Sequence, residues 1–124
     1  MKIGQLEHAN LSVTDTQRAS DLLCKLLGWQ IRWQGPHPLG GHTVHVGSDD
    51  AYISLYTRDD VAGSYSKGNP LNHQGLKVGD LGEAEAVVAA AGLEPFSHGT
   101  YDPGPRSFYF FDWDGIEFEV VSYE

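Results

Sequence analysis

One cysteine, Cys24, and one methionine stand in a chain of 124 residues. A lone thiol excludes an internal disulfide framework and a cysteine-based zinc cluster. Basic residues are also few, 8 against 17 acidic, and the formal net charge of −9 repels phosphate backbones and anionic lipid. Nucleic acid is therefore not an expected partner. No apolar run approaches the ~20 residues of a membrane span, and the opening Met1-Lys2-Ile3-Gly4-Gln5 lacks the apolar core of a signal peptide. No membrane partner is expected, and the cytoplasm is the expected compartment. Acidity would suit a cationic ligand, although solubility explains it more simply. The length allows one compact domain, or two small modules sharing a core.

What the chain does have is a repeat. Leu6-Glu7-His8-Ala9-Asn10-Leu11-Ser12-Val13-Thr14-Asp15 lies on Leu71-Asn72-His73-Gln74-Gly75-Leu76-Lys77-Val78-Gly79-Asp80 at an offset of 65, with Leu, His, Leu, Val and Asp preserved. Ala19 then falls on Ala84, and after a small length change Asp49 falls on Asp114, Ile53 on Phe118, Ser54 on Glu119 and Leu55 on Val120. Two copies of one supersecondary unit are implied, about 1–57 and 71–124, with 58–70 as a Gly, Ser and Asp-rich linker.

Periodicity supplies the elements. Residues 6–13 alternate as a strand with one polar face. A possible capping box at Thr14–Gln17 starts a helix carrying Ala19, Leu22, Leu23, Leu26 and Leu27 at helical spacing, with Gly28 as its stop. Strands at 29–34, 43–47 and 51–57 follow, making the unit βαβββ. The second copy repeats the order: a strand at 72–78, a helix opened by Asp80–Glu83 and stopped by Gly92, then strands at 93–97, 107–112 and 116–122. The class is α+β.

One face of each sheet is expected to lie under its helix, and the other is then free to line a cavity. That free face carries His8 and Asn10 in the first strand, His73, Gly75 and Lys77 in the fifth, and Glu117, Glu119 and Val121 in the last. Two imidazoles and a carboxylate satisfy a divalent cation well. Each histidine alone is explained as well by ordinary hydrogen bonding; it is their equivalent positions in the repeat that point to a metal.

These segments, with Leu27-Gly28-Trp29 and Ser107-Phe108-Tyr109-Phe110-Phe111-Asp112-Trp113-Asp114-Gly115-Ile116-Glu117-Phe118-Glu119, resemble the vicinal oxygen chelate superfamily over nearly the whole chain. That superfamily contains glyoxalases, extradiol dioxygenases, fosfomycin-resistance thiol transferases and bleomycin-binding proteins. The resemblance implies a single domain of two paired βαβββ modules, forming a cup-shaped, partly open eight-stranded barrel-like sheet with helices outside. It also implies His8, His73 and Glu119 as ligands of Fe(II), Mn(II), Zn(II) or Ni(II). Ser54 stands where glyoxalases place a fourth ligand, and Trp113 where a turn proline is usual; the first departure counts against a standard glyoxalase. Extradiol enzymes resemble the chain in the ligand triad and in Tyr109, ten residues before Glu119, with His98 as a stand-in for their acid–base histidine. Fosfomycin enzymes resemble it in Ser107-Phe108-Tyr109-Phe110, but the cationic residues they carry beyond the final strand are missing.

The expected function is a divalent-metal-dependent enzyme, a lyase, isomerase or dioxygenase, acting on a small molecule that chelates through neighbouring oxygens. Tyr109 and His98 are the proton-transfer candidates. Asn10, Trp33, His42, Ser54, Tyr56 and Arg106 are the substrate-binding candidates: His42 is read as facing inward, His45 as lying on the helix side, and residues 98–106 as a lid or a plain connection. A homodimer is expected, with each cup built within one chain or between two. The alternative is a non-catalytic protein that sequesters a cationic compound, as bleomycin-binding members do.

Overall fold

The computed structural model describes the whole chain, Met1–Glu124, as two compact units. The first comprises Met1–Cys24 and Gly28–Val61, the second Lys25–Leu27 and Ala62–Glu124.

In the first, β1 (His8–Ser12), α1 (Thr16–Leu27), β2 (Gln30–Pro36), β3 (His42–Gly47) and β4 (Tyr52–Thr57) follow in order, and the sheet runs β1-β4-β3-β2. The cap of α1 falls on Asp15, one residue later than the sequence pattern places it, because its carboxylate accepts from Arg18 N–H at 2.9 Å. Gly28, at φ 67°, ends the helix by donating its N–H to Cys24 O. β1 is parallel to β4, and β3 is antiparallel to both β4 and β2, so α1 connects two parallel edge strands separated by two others. Such a crossover lays a helix over one sheet face. Leu11, Val44, Val46, Ile53 and Leu55 are buried and share one face of the sheet by register, and Ala19, Leu22, Leu23 and Leu26 of α1 are buried as well.

In the second, β5 (Gln74–Lys77), α2 (Leu81–Ala90), β6 (Phe96–Thr100), β7 (Arg106–Phe111) and β8 (Glu117–Ser122) repeat the topology as β5-β8-β7-β6. Asp80 caps α2 by accepting from Glu83 N–H at 3.0 Å. Leu81, Ala84 and Val88 of α2 are buried, and the helix packs on β7 and β8, whose Phe108, Phe110 and Val120 are fully enclosed. Full burial of a phenyl ring contributes ~2–3 kcal/mol, so Phe108→Ala removes a large part of this core's stability.

Three expectations change. β6 starts at Phe96 rather than 93, since Pro95 has no N–H to donate, and it is irregular, with Ser97 at φ 52° and a register shift between Phe96 and Gly99. The later part of the connector is pinned to the second unit: Tyr65 N–H donates to Asp114 O at 2.7 Å, its hydroxyl donates to Leu71 O, and Lys67 pairs with the buried Glu117. The third concerns β3. His45 pairs with Ser54 and Val44 with Leu55, so His45 takes the polar face and His42 the side of Val44 and Val46. The expected faces of His42 and His45 are exchanged. No helix is long and apolar enough to cross a membrane.

Candidate functional site

Register lines up one row across each sheet. In the first it reads Asn10, Ser54, His45, Trp33; in the second, Gly75, Glu119, Tyr109, Phe96. The rows occupy equivalent strands, so His45 is the counterpart of Tyr109. His45 is a polar-face residue the sequence reading missed. The available signal was its alternation with Thr43, whose neighbour across β4 is Tyr56.

The polar centre of the second row is His73 with Glu119. His73 Nε2 lies 3.2 Å from Glu119 Oε1, while its Nδ1 is 2.8 Å from Asn72 Oδ1. With the Asn72 amide oxygen toward the ring, the tautomer protonated on Nδ1 donates to it and turns the Nε2 lone pair to a carboxylate oxygen. In that tautomer the two lone pairs converge as the donors of a cation site do, while the other tautomer would make the contact an Nε2–H to carboxylate hydrogen bond. The Tyr109 ring meets His73 edge-on at 5.7 Å, and the Tyr101 and Tyr109 hydroxyls are 3.3 Å apart. The Tyr101 hydroxyl, then burial, then a hydrogen bond to Glu119 push the Tyr109 phenol well above its ordinary range. Tyr109 is therefore held as a neutral phenol, able to donate a hydrogen bond.

In the first unit His8 is held the same way. Its Nδ1 is 2.9 Å from Glu7 Oε1, the main reason the Glu7 carboxyl lies below its ordinary pKa, and Nε2 is left available. A neighbour on the far nitrogen is the usual support of a metal-binding imidazole. The Tyr52 ring stacks on His8 at 4.8 Å, His45 lies 4.7 Å from Tyr52, and Trp33 lies 5.2 Å from His45. Burial, then the charges of His8 and Arg32, lower the His45 pKa. Trp33 lies over Gly35, where an added Cβ would sit 2.8 Å from its ring.

The polar faces thus carry His8, Asn10, Trp33, Ser54 and Tyr56 in one unit and His73, Tyr109 and Glu119 in the other. Tyr56 donates to Gly40 O at 2.7 Å, which ties it to the loop after β2. Three candidates lie elsewhere. His42 lies 3.3 Å from Gln34 on the opposite face of its sheet. His98 bonds Glu85 of α2 at 2.5 Å and its ring lies along Phe108, on the helix side and away from Tyr109. Arg106 belongs to β7 and alternates with Ser107 onto the Phe108 side. Within a single chain no three His, Cys, Asp or Glu side chains group closely enough to hold a metal ion.

The sequence matches the model of the Glyoxalase/Bleomycin resistance protein/Dioxygenase superfamily over residues 5–120. The chain belongs to that superfamily. Its fold is similar to a glyoxylase/bleomycin resistance protein/dioxygenase domain from Frankia sp. EAN1pec, with TM-score 0.82, 20% identity and 98% of each chain covered. It is also similar to the genomically encoded fosfomycin resistance protein FosX from Listeria monocytogenes, with TM-score 0.76, 18% identity and coverage of 97% of this chain and 94% of that one. The same Listeria protein complexed with Mn(II) and sulfate gives TM-score 0.73 at 18% identity, covering 99% and 95%. No curated protein matches the sequence.

Proposed function

We propose that the protein is a divalent-metal-dependent enzyme in which His8, His73 and Glu119 hold the ion and a small molecule chelates it through neighbouring oxygens. The observation that carries this reading is the convergence of His73 Nε2 and Glu119 Oε1 at 3.2 Å, two lone-pair donors with Asn72 on the far ring nitrogen. Mn(II) in the similar Listeria protein supports a divalent ion of the Mn(II), Fe(II), Zn(II) or Ni(II) kind. In this reading His8 completes the set, within one chain or in a homodimer. Two imidazoles and a carboxylate leave up to three positions open, and a bound ion supplies Lewis-acid stabilisation of negative charge on the substrate's oxygens. Tyr109, held as a neutral phenol, donates a hydrogen bond or proton to the reacting oxygen. In this reading Asn10, Ser54 and Trp33 help to orient the ligand. A reaction of the glyoxalase or ring-cleaving dioxygenase type follows, in the cytoplasm.

Metal analysis tests this. Protein purified without chelator should carry a divalent ion in stoichiometric amount, which His8→Ala, His73→Ala and Glu119→Ala each abolish, and hemithioacetal and catechol assays with that ion then separate the two reaction types. A second reading, sequestration of a cationic aromatic compound without a metal, draws on the Trp33–His45–Tyr52 ladder and the net charge of −9. Tight uptake of such a compound by metal-free protein, with no ion bound under any condition, would put that reading first.

A further inference from the structure

The histidines of the two repeats are fixed by different means. His8 lies inside β1, paired with Tyr52 of β4, so a strand ladder sets its backbone. His73 lies one residue before β5, whose pairing with β8 begins at Gln74 and Phe118. No ladder partner sets its backbone, and the chain before it does so instead. Leu71 O, two residues earlier, accepts from Gly68 N–H at 2.7 Å and from the Tyr65 hydroxyl at 2.8 Å, which fills both lone pairs of that carbonyl. Asn72, the residue between, places its Oδ1 2.8 Å from His73 Nδ1.

Segment 65–71 is anchored at two further points. Tyr65 N–H donates to Asp114 O at 2.7 Å, in the turn that leads into β8, and Lys67 Nζ meets Glu117 Oε2. Glu117 is 3% exposed and that oxygen accepts no hydrogen bond from any other group, so detaching Lys67 leaves a buried charge without its counter-ion, an unfavourable state. Glu117 stands two residues before Glu119 on the same face of β8. The segment is thus tied to β8 beside one member of the His73–Glu119 pair and to Leu71 beside the other.

We infer that Tyr65 and Lys67 are positioning residues for that pair: segment 65–71 is a strap that sets His73 against Glu119, and the closed strap and a bound ion stabilise each other. This rests on the proposed metal site. Linkage makes the coupling reciprocal, so the factor by which the closed strap raises ion affinity is the factor by which the ion favours closure.

Tyr65→Phe, which removes one hydroxyl and keeps the ring, should lower Mn(II) affinity about fivefold in calorimetric titration. Lys67→Gln should weaken binding as well, while Lys67→Arg, which keeps the charge, should stay within about twofold of the parent. Hydrogen exchange followed by mass spectrometry should show segment 65–71 exchanging more slowly with Mn(II), by about the same fivefold, and Glu119→Ala should remove that effect. A Tyr65→Phe protein that binds Mn(II) as the parent does, or Mn(II) bound with exchange of the strap unchanged, would overturn the inference. If the parent takes up no Mn(II), the metal site fails by itself and metal-free protein decides the strap. There the His73 ring NMR signals should move in Tyr65→Phe while those of His98, on the helix side, stay; unmoved His73 signals overturn the inference.

Discussion

His8 and Tyr52 stand opposite each other in the parallel pair of β1 and β4, their ring centroids 4.8 Å apart and their planes 13° from parallel. Tyr52 is itself flanked by His45 at 4.7 Å and by the Arg32 guanidinium 4.4 Å from its ring centre. An aromatic contact of this kind contributes ~0.5–1.5 kcal/mol, and loss of a ligand's supporting contacts typically weakens metal binding ~10–100-fold. Tyr52→Leu should therefore weaken Mn(II) binding about tenfold with little change in fold. Calorimetric titration showing affinity within twofold of the parent would separate Tyr52 from the orientation of His8.

Bound metal should also stabilise the fold. An ion at 100 times its Kd adds ~2.7 kcal/mol to the bound native state. The thermal midpoint should rise with Mn(II) and return with chelator, and His73→Ala should remove the response. A rise that persists in His73→Ala places the ion elsewhere.

Tyr109 should resist ionisation. Its acid is held above the ordinary range in the folded chain, so the folded state keeps the proton where the unfolded chain has released it. The associated stability is complete below the ordinary tyrosine pKa of ~10 and declines as pH rises beyond it. Phenolate absorbance should show one of the six tyrosines titrating late, and Tyr101→Phe, which removes the largest cause, should bring it down. Unchanged titration in that variant would mean the Tyr101 contact does not hold the phenol.

Asp112 builds the turn before β8 by accepting from Asp114 N–H and Ile116 N–H, both at 2.9 Å. Burial nevertheless raises its pKa, outweighing those backbone hydrogen bonds. A carboxyl raised in the folded state favours folding most below its unfolded pKa of ~3.9, and that advantage is lost as pH rises through the folded value. Asp112→Asn keeps an acceptor and removes the buried charge, so it should match or exceed the parent in denaturant stability at pH ~7, with its gain shrinking in acid. Asp112→Ala should cost ~1–3 kcal/mol at either pH by leaving the N–H groups unpaired.

Two glycines should differ in their tolerance of alanine. Gly28 and Gly115 have φ of 67° and 87°, yet an added Cβ meets nothing within 4 Å at Gly28 and lies 2.9 Å from Tyr65 O at Gly115. Gly28→Ala should cost ~1 kcal/mol for the left-handed backbone. Gly115→Ala should cost more, and should loosen the connector at Tyr65, read as faster amide exchange there. Equal costs would show that the connector yields freely.

The repeat, the βαβββ order, the Asp80 cap, the Gly28 stop and the polar parity of His8, His73 and Glu119 could be read from residues alone. All are local: alternation, helical spacing and capping depend on a few neighbours along the chain. Register was not local. A shift of one residue in β3 moves every side chain to the other face, and the pairing of His45 with Ser54 placed His45 beside Tyr52 and sent His42 away. The fate of His98 depended on Glu85, thirteen residues earlier and on a helix, and that of the connector on the β7–β8 turn receiving Tyr65. Sequence thus determined which residues alternate and where helices begin and end; tertiary structure decided which face each pattern presents, because hydrogen bonds from a neighbouring strand set the register and the chain's own periodicity does not.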